Sequence, residues 1–175
     1  STLAALTIKA YRNARRSGLD MAHTAAAIDV WLRRRHPNSF ATAILAELDH
    51  TTGILRTINA GHPGAQILRE GRAVKELPAP TALPLGLHHM SGRRPDVHEE
   101  ALQSGDRVLA YTDGVTDAFN AEGERFGLGR LLDLVQRALN DELPAPESMR
   151  RLVRAVVEHQ FNELQDDATA VLVQW

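Results

Sequence analysis

A chain of 175 residues is long enough to bury one sizeable core and too short for two comfortable domains. Its 43% hydrophobic and 24% charged residues suit a globular protein, and 20 basic against 22 acidic residues exert no electrostatic pull on nucleic acid or an anionic membrane. The absence of cysteine removes disulfides, thiolate catalysis and cysteine-ligated zinc; with no signal-peptide pattern or bilayer-length apolar run, it predicts a cytoplasmic protein with neither nucleic acid nor membrane as partner.

Leu3, Leu6, Ile8, Ala10 and Tyr11 recur at helical spacing up to Arg15 and Arg16, and Gly18 stops that helix. A second helix is predicted from about Asp20 to Arg35, with Ala22, Ala26, Ile28, Val30 and Trp31 on its apolar side. His36-Pro37-Asn38 ends it, because proline disfavours helix at the residue before it. The period then shortens. Strands are predicted at 40–49, 54–59, 65–69 and 73–77, separated by His50-Thr51-Thr52-Gly53, by Gly61-His62-Pro63-Gly64 and by Glu70-Gly71, which together read as an antiparallel meander.

Residues 78–96 are rich in Pro, Gly and His and read as an irregular loop. Strands near Val97 to Leu102 and at Arg107 to Tyr111 flank the turn Ser104-Gly105-Asp106. Helices follow at about Leu128 to Leu139 and Glu147 to Phe161, and a strand from Ala168 to Val173 closes the chain. The order predicts one α+β layered domain over residues 1–175, with helices packed on antiparallel sheet.

Two acidic spots punctuate apolar strands. Asp113-Gly114 follows Arg107 to Tyr111, and Asp166-Asp167 precedes Ala168 to Val173. Gly114 permits close approach of a backbone or ligand, and Asp117 stands one helical turn after Asp113 if Val115 to Phe119 is helical. Successive strand residues face opposite ways, so one of Asp166 and Asp167 is expected to point into any shared site. Clustered carboxylates repel unless a cation is bound, and oxygen-only ligation suits Mg²⁺ or Mn²⁺. Taken singly, Asp113-Gly114 reads as a turn and Asp166-Asp167 as a helix-to-strand connection.

Phe40-Ala41-Thr42-Ala43, Asn59-Ala60-Gly61-His62-Pro63, Pro84-Leu85-Gly86-Leu87, Ser104-Gly105-Asp106, Tyr111-Thr112-Asp113-Gly114-Val115-Thr116-Asp117-Ala118, Phe126-Gly127 and Asp166-Asp167-Ala168-Thr169 occur in this order. The succession resembles the phosphatase domain of stage II sporulation protein E and its stress-regulator relatives, the bacterial branch of the metal-dependent protein phosphatase 2C-like enzymes. The resemblance implies a layered α/β/β/α sandwich of mainly antiparallel strands flanked by helices, with a two-metal Mn²⁺ or Mg²⁺ centre. Asp113 and Asp166 resemble the family's metal-binding aspartates, with Asp117, Asp167 and Gly114 as accessory positions. The segment around Val115 to Phe119 lies where relatives carry a regulatory helix.

The implied reaction is hydrolysis of phosphoserine or phosphothreonine on a regulatory protein, typically an anti-sigma-factor antagonist, by metal-activated water and without a covalent phosphoenzyme. The implied partners are that phosphoprotein and an upstream sensor domain, with a homodimer left open. The chain departs from the family in one respect. Relatives carry a Gly-Asp strand and an Asp-x-x-Gly-His-Gly block before the first helix, and neither occurs here. The comparison therefore reads the chain as an N-terminally truncated portion, inactive by itself. The alternative readings are a non-catalytic phosphatase-fold interaction module and a sensor scaffold holding one structural ion.

Other candidates read more plainly. His62 suits a general acid, yet fixing its turn is the favoured role. His88-His89 lacks metal-ligand spacing and reads as solvated loop. Arg33-Arg34-Arg35 reads as a solvated helix end that favours the dipole, and Asp106 as a turn former.

Overall fold

In the computed structural model, which describes residues 2–78, 82–141, 143–160 and 167–175, the two N-terminal helices are α1 (Thr2–Arg16) and α2 (Met21–Arg35). Asp20 caps α2, its carboxylate accepting from His23 N–H at 2.8 Å. The strands are β1 (Ala43–Leu48), β2 (Ile54–Ala60), β3 (Gln66–Arg69), β4 (Arg72–Glu76), β5 (His98–Ala101), β6 (Arg107–Tyr111) and β7 (Ala170–Gln174). A single helical turn, α3 (Asp113–Thr116), and two longer helices, α4 (Gly127–Asn140) and α5 (Ala145–His159), separate β6 from β7.

The chain divides into two compact units, each built from discontinuous segments: Ser1–His62 with Pro78–Leu102, and Pro63–Leu77 with Gln103–Trp175. In the first, an antiparallel sheet ordered β1-β2-β5 carries helix α2. Met21, Ala25, Ile28 and Leu32 bury against Leu45, Ile58, Ala60 and Leu85. These four α2 positions step by four, three and four residues and so form one line. Of the expected stripe, Ile28 lies in this line and Ala22 and Trp31 pack partly buried against the same cluster, whereas Val30 is exposed.

In the second unit, an antiparallel sheet ordered β4-β3-β6-β7 packs against α4 and α5. Leu131, Val135 and Leu139 of α4 and Leu152 and Val156 of α5 meet Leu68, Leu109 and Tyr111 from the strands. Each fully buried aliphatic chain there stabilises the fold by about 1.5–3 kcal/mol. Burial pushes the Tyr111 hydroxyl above its ordinary range, and the Glu76 carboxylate pushes it further.

The meander is not what forms. β2 and β3 lie in different sheets. Gly61 turns the chain out of the first sheet with φ +69°, in space where a Cβ would sit 2.6 Å from Pro84 Cγ. The Asn59 side chain locks the turn, accepting from His62 N–H at 2.8 Å and donating to His62 C=O at 2.9 Å. Pro63 then has no N–H with which to extend a ladder. The break read as a turn is a crossing between sheets. Among the described residues no helix is long and apolar enough to cross a membrane.

Candidate metal centre

The ladder between β6 and β7 is antiparallel and pairs Tyr111 with Ala170. Residues just after Tyr111 and just before Ala170 therefore emerge at the same end of the sheet. Thr112, Asp113 and Gly114 do three separate jobs there. Thr112 N–H donates to Thr169 C=O at 2.9 Å, while its hydroxyl accepts from Thr169 N–H at 3.0 Å and lies 3.3 Å from Asp167 C=O as donor. The threonine thus ties the chain after Asp166 to the end of β6. Gly114 is buried, and a Cβ built on it would lie 2.5 Å from Asp167 O and 3.0 Å from Asp167 C. A fixed backbone occupies the space any side chain would need.

Asp113 stands between them as the first residue of α3, and it is exposed. Its Oδ1 accepts from Gly114 N–H at 3.0 Å, and no cationic side chain pairs with it among the described residues. The helical turn begins at Asp113 rather than at Val115, so this carboxylate belongs to the turn itself. Asp117 is the residue after it, with its N–H on Asp113 C=O at 2.7 Å. Its carboxylate lies 3.4 Å from Arg125 Nη1, with both side chains at least half exposed. Asp167 is described and exposed; Asp166 lies outside the described residues.

The oxygens gathered here are therefore the exposed Asp113 carboxylate, with one oxygen on Gly114 N–H, and the backbone carbonyl of Asp167. Carboxylate and carbonyl oxygens fit a hard divalent cation such as Mg²⁺ or Mn²⁺. Among the described residues no group of three acidic or histidine side chains converges on one point.

Asp106, at the opposite end of β6, is more than a turn former. Its side chain is completely buried, and Arg69 Nε and Nη2 each donate to it at 2.8 Å. Gln103 N–H adds a third bond at 2.8 Å, and Trp175 N–H donates to its backbone carbonyl at 2.9 Å. The Arg69 hydrogen bonds hold the carboxyl below the usual carboxylate range, outweighing desolvation, and Gln103 N–H assists them. Sequence reading missed Arg69, whose only signal was a charge closing a short apolar strand.

His62 sits in the turn fixed by Asn59, with Nδ1 3.0 Å from Thr42 Oγ1. Arg33, Arg34 and Arg35 are the exposed last turn of α2. His88 corrects the expectation of a solvated loop: it is buried on a 3₁₀ turn, while His89 beside it is exposed. The cause is Asp29 of α2, whose Oδ1 accepts from Gly86 N–H at 2.7 Å and His88 N–H at 2.9 Å and draws the segment inward.

Known proteins share this fold. A 135-residue stretch, 77% of the chain, is 28% identical to Protein IcfG of Synechocystis sp., of which it covers only 20%. The SiaA-PP2C domain of Pseudomonas aeruginosa superposes with a TM-score of 0.81 at 21% identity, covering 99% of this chain and 68% of that one. The catalytic domain of the serine threonine protein phosphatase PstP, solved in complex with 2 manganese ions, superposes with a TM-score of 0.59 at 17% identity, covering 96% and 80%. These likenesses establish the α+β sandwich fold of the protein phosphatase 2C type. The family described as stage II sporulation protein E (SpoIIE) matches residues 1–175, and the chain belongs to that family.

Proposed function

We propose that this chain carries the C-terminal part of a metal-dependent protein serine/threonine phosphatase, with Asp113 and Asp166 as ligands of a Mn²⁺ or Mg²⁺ centre. The observation that carries the reading is the seating of the Asp167 backbone against Gly114, at the end of the sheet where Asp113 emerges. Asp113-Gly114 and the backbone of Asp167, distant in sequence, are thereby neighbours in space. PstP, with its two manganese ions, supports the choice of metal.

Within that reading the chain's own residues hold and orient. Thr112 ties down the backbone of Asp167 and Thr169, Gly114 lets that backbone approach, and Asp113 offers a carboxylate oxygen with no partner among the described residues. Asp117 and Asp167 are accessory, close enough to adjust the charge around Asp113. When bound, the ions would supply Lewis acidity that neutralises phosphate oxygens and lowers the pKa of water. The substrate is a phosphoserine or phosphothreonine protein in the cytoplasm, of the anti-sigma-factor-antagonist class, and a sensor domain preceding the chain controls its turnover.

The test is Mn²⁺-dependent release of phosphate from a phosphoserine peptide and from p-nitrophenyl phosphate by the natural-length protein. Replacing a direct ligand costs more than disturbing its surroundings, so Asp113→Asn is expected to lower kcat/KM at least ~100-fold. Equal activity in that variant refutes the ligand assignment. Mn²⁺ binding without turnover in the unaltered protein identifies the alternative, a non-catalytic interaction module.

A further inference from the structure

The segment between β4 and β5 carries an open pocket of about 300 Å³ that the carboxylate site does not use. His88, Arg93 and Arg94 line it. His88 is 7% exposed, and neither of its ring nitrogens has a hydrogen-bond partner among the described residues. Buried polar groups are satisfied in the great majority of cases, so this imidazole has bonding capacity the protein leaves unused.

The backbone around it is firmly held. Asp29 grips Gly86 and His88 through their N–H groups, and Ser91 Oγ donates to His88 C=O at 2.7 Å and accepts from Arg93 N–H at 3.2 Å. The backbone of His88 is thus held by buried hydrogen bonds from Asp29, and that of Arg93 is tied to it through Ser91 at the surface.

The charges favour an anion. Arg94 is exposed and makes no hydrogen bond or ion pair among the described residues. Arg93 pairs with Asp96, another pocket-lining residue, at 3.6 Å, but with side chains 80% and 71% exposed. A pair so open to water contributes little and yields readily to a better acceptor. Two guanidinium forks and an imidazole match the several oxygens of a tetrahedral anion better than the two of a carboxylate.

We propose that this pocket is an oxyanion-binding site for the phosphate class, with Arg93 and Arg94 holding the charge and His88 completing the wall. The ligand is either free phosphate or the phosphoryl group of a phosphorylated protein. The site is independent of the metal reading, and its test is arranged to be so.

Natural-length protein carrying Asp113→Asn, with ¹⁵N-labelled histidine and excess EDTA, is titrated with inorganic phosphate and, in a second arm, with a phosphoserine peptide. The readouts are calorimetry and the ring resonances of His88. Saturable binding at one site with a shift of the His88 ring is expected, and Arg94→Gln should weaken it about 10-fold through loss of a charge-assisted contact. Arg94 is exposed, so this variant does not put folding at risk; Arg93→Gln gives a second reading of the same loss. Tighter binding of the peptide identifies a phosphoprotein as the source, and tighter binding of phosphate identifies the free anion. No saturable binding, or binding unchanged in both arginine variants, overturns the proposal.

Discussion

Strand β6 has an aspartate at each end, and the two are opposites. Asp106 before it is buried, receives three hydrogen bonds at 2.8 Å from Arg69 and Gln103, and holds the C-terminal Trp175 through its own carbonyl. Asp113 after it is exposed, with the adjacent Gly114 N–H the only donor to its carboxylate among the described residues. A carboxylate saturated by protein donors has no capacity left for a ligand; one left open at a crowded strand end does. Recurrence of both in family-like blocks therefore does not give them the same role. Asp106 builds the sheet that places Asp113.

The sharpest way to break this contrast is to neutralise each in turn. Asp113→Asn should lose at least ~100-fold in phosphatase activity while its folding free energy stays within about 0.5 kcal/mol of the parent. Thermal unfolding beside steady-state kinetics reads both. Asp106→Ala should do the reverse, costing about 2–3 kcal/mol because Arg69 and Gln103 N–H lose their acceptor, with activity per folded molecule retained. A large activity loss in Asp106→Ala without loss of stability contradicts the division of labour.

The same ion pair has a pH signature. The folded-state pKa of Asp106 is depressed, so its contribution is fully present above the unfolded carboxylate value and fades as pH falls through the lower folded value. The stability gap between parent and Asp106→Ala should stay constant above about pH 5 and narrow below about pH 4. Urea midpoints across that range measure it, and a constant gap contradicts the pairing.

Gly114→Ala sharpens the contrast from the backbone side. A methyl group 2.5 Å from Asp167 O must displace main chain, which should cost about 1–3 kcal/mol and lower Mn²⁺ affinity together. The smallest effect is expected at Asp117, whose exposed pair with Arg125 is worth under about 0.5 kcal/mol, so Asp117→Asn should leave the melting temperature nearly unchanged.

What could be read from the residues follows the range of the forces involved. The helices and individual strands were legible because their periodicity is local: α1 and α2 end where Gly18 and His36-Pro37 say they should. Strand pairing was not, since nothing in the run from Ile54 to Arg69 states that β2 joins β5 while β3 joins β6. Asp113 was legible as a carboxylate after an apolar run. Its relation to the Asp166-Asp167 segment rests on the β6–β7 register, and the role of Thr112 in tying that segment down has no sequence signal beyond its place in the motif. Burial of His88 depends on Asp29 of α2, a partner far away in the chain, and a loop reading could not foresee it.

The central claim is that Asp113 and Asp166 bind the same metal ion. Mn²⁺ affinity measured by electron paramagnetic resonance for Asp113→Asn, Asp166→Asn and the double variant tests it directly. Each single change is predicted to weaken binding at least ~10-fold, and the double variant to lose less than the sum of the two free-energy losses, because one damaged centre has less left to lose. Independent, fully additive losses, or an unchanged affinity in either single variant, would contradict it.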